Sequence, residues 1–89
     1  MDIREGVIEA LDYASNALDD PKIAPILLSG KDIRLSDVST DSLARLEFIM
    51  KLEDGFDIEI DEDELTEDAT LTSLQALIEA KLTEKTNAG

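Results

Sequence analysis

The side chains able to do chemistry in these 89 residues are few, and the missing ones decide as much as those present. There is no cysteine and no histidine. That removes the thiolate nucleophile, the commonest metal ligand and the usual general base near neutral pH. A Ser-His-Asp triad is impossible, as is a disulfide framework or a cysteine zinc site. Hydroxyls and carboxylates remain. A serine without a nearby base is a poor nucleophile, so Ser42 cannot activate itself. The carboxylates are abundant, with 22 Asp and Glu against 8 Lys and Arg. Asp57, Glu59 and Asp61 alternate in the manner of a calcium loop. Glu62 then stands where the tight turn requires Gly, and Asp68 where a bidentate Glu is needed, so neither calcium nor any other metal is expected to bind specifically. The chain has no catalytic residue of its own and is not expected to be an enzyme.

A formal net charge of −14 and an isoelectric point near 4.1 disfavour nucleic-acid backbones and anionic lipid surfaces as partners. The expected partners are proteins with basic patches. No basic stretch followed by a long apolar run opens the sequence, and no apolar run is long enough to span a bilayer, so no membrane insertion and a cytoplasmic location are expected. At this length the chain is expected to be a single domain over residues 1–89 and a monomer. The only aromatics are Tyr13, Phe48 and Phe56, which leaves an aliphatic core.

The elements that must position these side chains read as helices. Val7, Ile8, Leu11, Ala14 and Leu18 form an apolar stripe at helical spacing. Asp2 with Glu5 has the form of a capping box opening that helix, and Asp19-Asp20-Pro21 closes it. A long connection follows, with Pro21, Pro25 and Gly30. Its apolar patch Ile23–Leu28, with Ile33, Leu35 and Val38, should lie across the bundle and could hold a short turn of helix. A second helix should begin at Asp41 or Ser42, with Gly55 as its terminator. At 100° per residue, Phe48, Leu52 and Ile49 fall at about 240°, 280° and 340° from Ser42 and form a buried stripe. Leu46, Met50 and Leu43 fall on a second arc at about 40°, 80° and 100°, interleaved with Glu47, Glu53 and Asp54. One helix therefore has two apolar faces. The alternating Phe56-Asp57-Ile58-Glu59-Ile60 reads as an extended link without a partner strand. Asp61 with Glu64 forms another box, predicting a brief helix around Glu62 to Glu67. Thr72 with Gln75 opens the last helix, whose apolar positions are Leu74, Leu77, Ile78 and Leu82. A polar tail over about 83–89 should fray.

The stretch Val38-Ser39-Thr40-Asp41-Ser42-Leu43, then Glu47, then Phe56-Asp57-Ile58-Glu59-Ile60, resembles the acyl carrier protein family with its peptidyl and aminoacyl relatives. The resemblance is strong from about Val38 to Ile78 and weaker over the first helix and long loop. It implies an all-α four-helix bundle: three longer helices, a short third one, and a long loop between the first two. It implies 4′-phosphopantetheine, drawn from coenzyme A, attached to Ser42 and flanked by Asp41, which makes the chain a phosphoprotein. An acyl or aminoacyl thioester would ride on the arm. A helix start favours a phosphodiester through its unpaired N–H groups and positive dipole end.

The implied partners are a phosphopantetheinyl transferase, an acyl or aminoacyl loading enzyme, and a downstream acyltransferase or condensing enzyme. The pathway would be fatty-acid-like, polyketide or nonribosomal peptide biosynthesis. The same resemblance places Leu43, Leu46, Glu47, Met50, Glu53 and Asp54 on the partner-facing side. Taken alone, Asp41-Ser42 is also an ordinary cap, and the run from Asp57 to Asp68, with eight acids and no base, is also an ordinary solvated surface. The rival reading is an acidic binding module, a carrier fold without a prosthetic group, docking on basic surfaces.

Five positions depart from the family pattern: Ser39 where many members have Gly, Asp61 where many have Pro, Ala44 where fatty-acid carriers commonly have an acid, and basic Arg45 and Lys51 on a helix usually dominated by acids. They point to a specialised partner set on a free-standing carrier.

Overall fold

The computed structural model describes residues 2–38, 41–66 and 68–88. Among them the chain is helical, with five α-helices and no strand: α1 (Ile3–Ser15), α2 (Ala24–Leu28), α3 (Leu35–Val38), α4 (Ser42–Phe56) and α5 (Leu71–Ala88). Single 3-10 turns lie at Ala17–Asp19 and Glu62–Glu64. Ser39 and Thr40 of the motif, Glu67 at the expected end of the short helix, and Gly89 lie outside the described residues.

Helix α1 packs along α4 and α5. Val7, Ala10 and Leu11 from α1 meet Phe48, Ile49 and Leu52 from α4 and Leu71, Leu74 and Ile78 from α5 in one aliphatic core. The apolar stripe of α1 holds for Val7, Ile8, Leu11 and Ala14, while Leu18 is exposed. The reason is that α1 stops early. Asn16 adopts the left-handed conformation (φ 55°, ψ 41°), and its N–H donates to the Asp12 carbonyl. Asn tolerates that conformation better than most residues. The chain then turns through Ala17–Asp19 and buries Ala17 instead of Leu18. At the other end of α1 the Asp2 carboxylate accepts the Arg4 N–H, a one-way cap in which Glu5 takes no reciprocal part.

The long connection contains α2 and α3. Ile23 and Leu27 are buried, and Ile33, Leu35 and Val38 pack against the core as expected. Arg4 holds this segment down, its guanidinium donating to the Leu27 and Lys31 carbonyls at 2.9 Å each. Further along, an antiparallel bridge joins Arg34 to Thr70. The Leu35 N–H donates to the Ala69 carbonyl at 2.8 Å, and the Leu71 N–H to the Ile33 carbonyl at 3.0 Å.

Further helix ends differ from the sequence expectation. Gly55 does not terminate α4, which runs to Phe56. Asp57 takes the left-handed C-cap position (φ 55°), its N–H donating to the Glu53 carbonyl. One residue more of helix carries Phe56 onto the core. The short third helix is a single 3-10 turn, although its Asp61–Glu64 capping box is complete in both directions. Helix α5 starts at Leu71, ahead of Thr72. Its first turn is held by Thr70 and Ser73, whose side chains each accept the other's N–H, and by Asp32, whose carboxylate accepts the Thr72 N–H at 3.0 Å. The tail from Thr83 continues as helix to Ala88, and Lys85 donates to the Asp57 carbonyl and carboxylate.

Candidate functional site

Asp41 shapes the site. With extended backbone (φ −73°, ψ 122°) it stands at the N-cap of α4. Its carboxylate accepts the Leu43 N–H at 3.0 Å and its carbonyl accepts the Arg45 N–H. This satisfies donors that a helix start otherwise leaves open and sets Ser42 as the first helical residue. Ser42 is exposed, and its hydroxyl has no hydrogen-bond partner among the described residues. It opens a helix of fifteen residues, so the positive end of the dipole falls on this hydroxyl. No histidine or cysteine exists to deprotonate it. The arrangement offers an accessible hydroxyl whose surroundings favour an attached phosphodiester, and it leaves activation to an outside base. The residues present fit a 4′-phosphopantetheine group.

From Ser42 the α4 surface divides as its two arcs predict. Phe48, Ile49 and Leu52 are buried, whereas Leu43 is 61% exposed, Leu46 43% and Met50 58%. These three hydrophobic side chains run along the helix from Ser42 towards its C-terminus, with Glu47 and Asp54 exposed beside them. Glu53 stands apart from that face. It is half-buried, and its carboxylate accepts the Ile60 N–H at 2.9 Å, tying the link after α4 back onto the helix. Lys51 turns the other way and lies over the Tyr13 ring, 4.9 Å from its centre. No group of three or more metal-ligating side chains occurs among the described residues.

Beside the α4 N-terminus is a cavity of about 390 Å³ between α1, the 34–36 segment, the first turns of α4 and the 65–68 turn. Asp41, Ala44, Arg45 and Phe48 form its α4 wall. Nothing in the sequence spacing announces it, because its walls come from four separate stretches of chain.

Three carboxyls elsewhere have lowered pKa values. Asp32 is held below its usual range chiefly by the Thr72 N–H, with Ile33 adding to it. Glu64 is lowered by the Asp61 N–H and then by Lys81, whose ammonium lies at 3.0 Å. Asp57 is lowered by Lys85. All three serve the joints between elements and lie away from Ser42 in the chain.

No helix among the described residues is long and apolar enough to cross a membrane. No similar curated protein and no similar solved structure was found. A family model described as the phosphopantetheine attachment site matches residues 3–78, from the first turn of α1 to the buried Ile78 of α5. The chain thus belongs to the phosphopantetheine-binding family of acyl and peptidyl carrier domains, whose prosthetic group is 4′-phosphopantetheine.

Proposed function

We propose that residues 1–89 act as one monomeric carrier domain in the cytoplasm, with 4′-phosphopantetheine on Ser42 holding an acyl or aminoacyl group as a thioester. The observation that carries this reading is the exposed, unpartnered Ser42 hydroxyl at the first residue of α4, directly after a capping aspartate. The transferase supplies the base and coenzyme A, and Ser42 supplies the hydroxyl that becomes the phosphodiester oxygen. The thiol this chain lacks arrives with the arm. Carrier domains of this family are generally non-catalytic, and the chain's share of the work is attachment and addressing. A tethered cargo reaches each docked enzyme at high effective concentration.

Leu43, Leu46 and Met50, with Glu47 and Asp54, form the docking face in this reading. The apolar side chains supply contact and the acids steer basic enzymes into register. Glu53 serves the fold by holding Ile60. The partners are a phosphopantetheinyl transferase, a loading enzyme and a downstream acyltransferase or condensing enzyme, in a pathway of fatty-acid-like, polyketide or nonribosomal peptide type.

Transfer of a fluorescent pantetheine arm from a coenzyme A derivative tests the assignment. Wild type should take up label, and Ser42→Ala should take up none while keeping its helical circular dichroism. Equal labelling of the two proteins would refute Ser42 as the attachment point.

A further inference from the structure

The α4 sequence offers Lys51 an ion pair that the structure does not use. Glu47 stands four residues before it and Asp54 three residues after, so both are its neighbours on the helix surface. Glu ahead of Lys at the first of these spacings is the favoured order for a helical ion pair. The Lys51 ammonium instead lies over the Tyr13 ring of α1, 4.9 Å from its centre. Neither Glu47 nor Asp54 has an ion pair or a side-chain hydrogen bond among the described residues.

The helical projection shows why the choice matters. Glu47 and Asp54 fall at about 140° and 120° from Ser42, beside the apolar arc of Leu43, Leu46 and Met50. Lys51 falls at about 180°, between those acids and the edge of α4 that meets α1. Its flexible stem can turn to either side. Helix α1 reaches the core through Val7, Ala10 and Leu11, while Tyr13 is 64% exposed. Burial therefore does little to account for an aromatic at that position. What the ring supplies is the negative face of its π system. At an exposed site a cation over a ring is at least as strong as a helical ion pair, so one ring is enough to decide where the ammonium points.

We propose that Tyr13 is a positioning residue for the docking face. Its ring draws the Lys51 ammonium away from Glu47 and Asp54 and leaves both carboxylates unneutralised for a basic partner enzyme. Without the ring, Lys51 turns back onto Glu47 and halves the acid charge offered beside the apolar arc. Rim charges act mainly on encounter, so the effect belongs in KM and in its salt dependence, with the chemical step untouched. The inference rests on the reading of this α4 surface as the docking face, and its test separates the two.

Arm transfer from coenzyme A by a broad-specificity phosphopantetheinyl transferase would be followed at low salt, with KM and kcat measured for the carrier. The Glu47→Gln/Asp54→Asn double variant should raise KM. An unchanged KM there, or no transfer to wild type, would bring down the docking reading itself. Tyr13→Leu should raise KM about threefold with kcat unchanged, and the rise should vanish at high salt. Tyr13→Phe keeps the ring and should match wild type. In a Lys51→Gln background Tyr13→Leu should change nothing, because no ammonium is left to redirect. An unchanged KM in Tyr13→Leu, an equal rise in Tyr13→Phe, or a rise that persists without Lys51 would overturn the inference. The pairing is also read without any transferase. The ring should shift the Lys51 ε-methylene protons upfield in the NMR spectra of wild type and Tyr13→Phe, and Tyr13→Leu should lose that shift. Its absence from wild type would overturn the inference whatever the kinetics show.

Discussion

Asp32 reaches across 40 residues of sequence to accept the Thr72 N–H, and with its own neighbour Ile33 it makes the carboxylate a cap for α5. Nothing local to either segment announces this. The sequence around Thr72 suggests a box with Gln75, and the fold uses Thr70, Ser73 and Asp32 in its place. A capping side chain contributes about 1 kcal/mol, so Asp32→Ala should lower the stability read from urea unfolding by about that amount. The sign of its pH dependence follows from the lowered carboxyl. Its contribution is fully present above the ordinary value of 3.8 and is lost as pH falls through the lower folded value. The gap between wild type and Asp32→Ala should therefore be full near pH 6 and shrink as the pH falls below 3.8. A gap independent of pH would mean that packing, and no charged cap, accounts for the loss. Ser42 is the opposite case at the same scale. Its position beside Asp41 at a helix start is visible in the sequence because both signals are local.

Helix α4 was the most legible element, since an amphipathic period of 3.6 writes its faces directly into residue spacing. Phe48, Ile49 and Leu52 are buried and Leu43, Leu46 and Met50 are exposed, as the two arcs predict. The helix end was misplaced because Gly55 is a permissive residue, and the fold gives the left-handed position to Asp57. Gly55 therefore spends its flexibility inside a helix. A Cβ there meets nothing within 4 Å, and Gly55→Ala should raise stability by about 0.5–1 kcal/mol in urea unfolding. The two faces also make separable predictions. Phe48→Ala should cost about 3–5 kcal/mol. Leu46→Ala with Met50→Ala should stay within about 0.5 kcal/mol per site yet slow arm transfer by about fivefold or more. Unchanged transfer in that pair would remove the apolar arc from the transferase interface. Helices α2 and α3 were harder to read, because short helices in a Pro- and Gly-containing connection are held by tertiary contacts such as the Arg4 bonds to Leu27 and Lys31.

Over the whole molecule, composition and the spacing from Val38 to Ile78 were enough to suggest the family, and the family model covering residues 3–78 shows it. The cavity was not legible, because α1, the 34–36 segment, α4 and the 65–68 turn meet only in the folded chain. The charge of −14 acts on the fold as a unit. Acids forced close together destabilise the compact state, and salt screens them over about 10 Å at 0.1 M. The thermal midpoint should therefore rise between low and moderate salt, and an unchanged midpoint would show that repulsion is already balanced within the fold.

The measurement that bears most directly on the account is intact-protein mass before and after incubation with coenzyme A and a broad-specificity phosphopantetheinyl transferase, followed by fragmentation to locate the addition. The account predicts a gain of one phosphopantetheine, located on Ser42 and absent from Ser42→Ala. No gain on a folded sample with several transferases, or an addition on another residue, would contradict it.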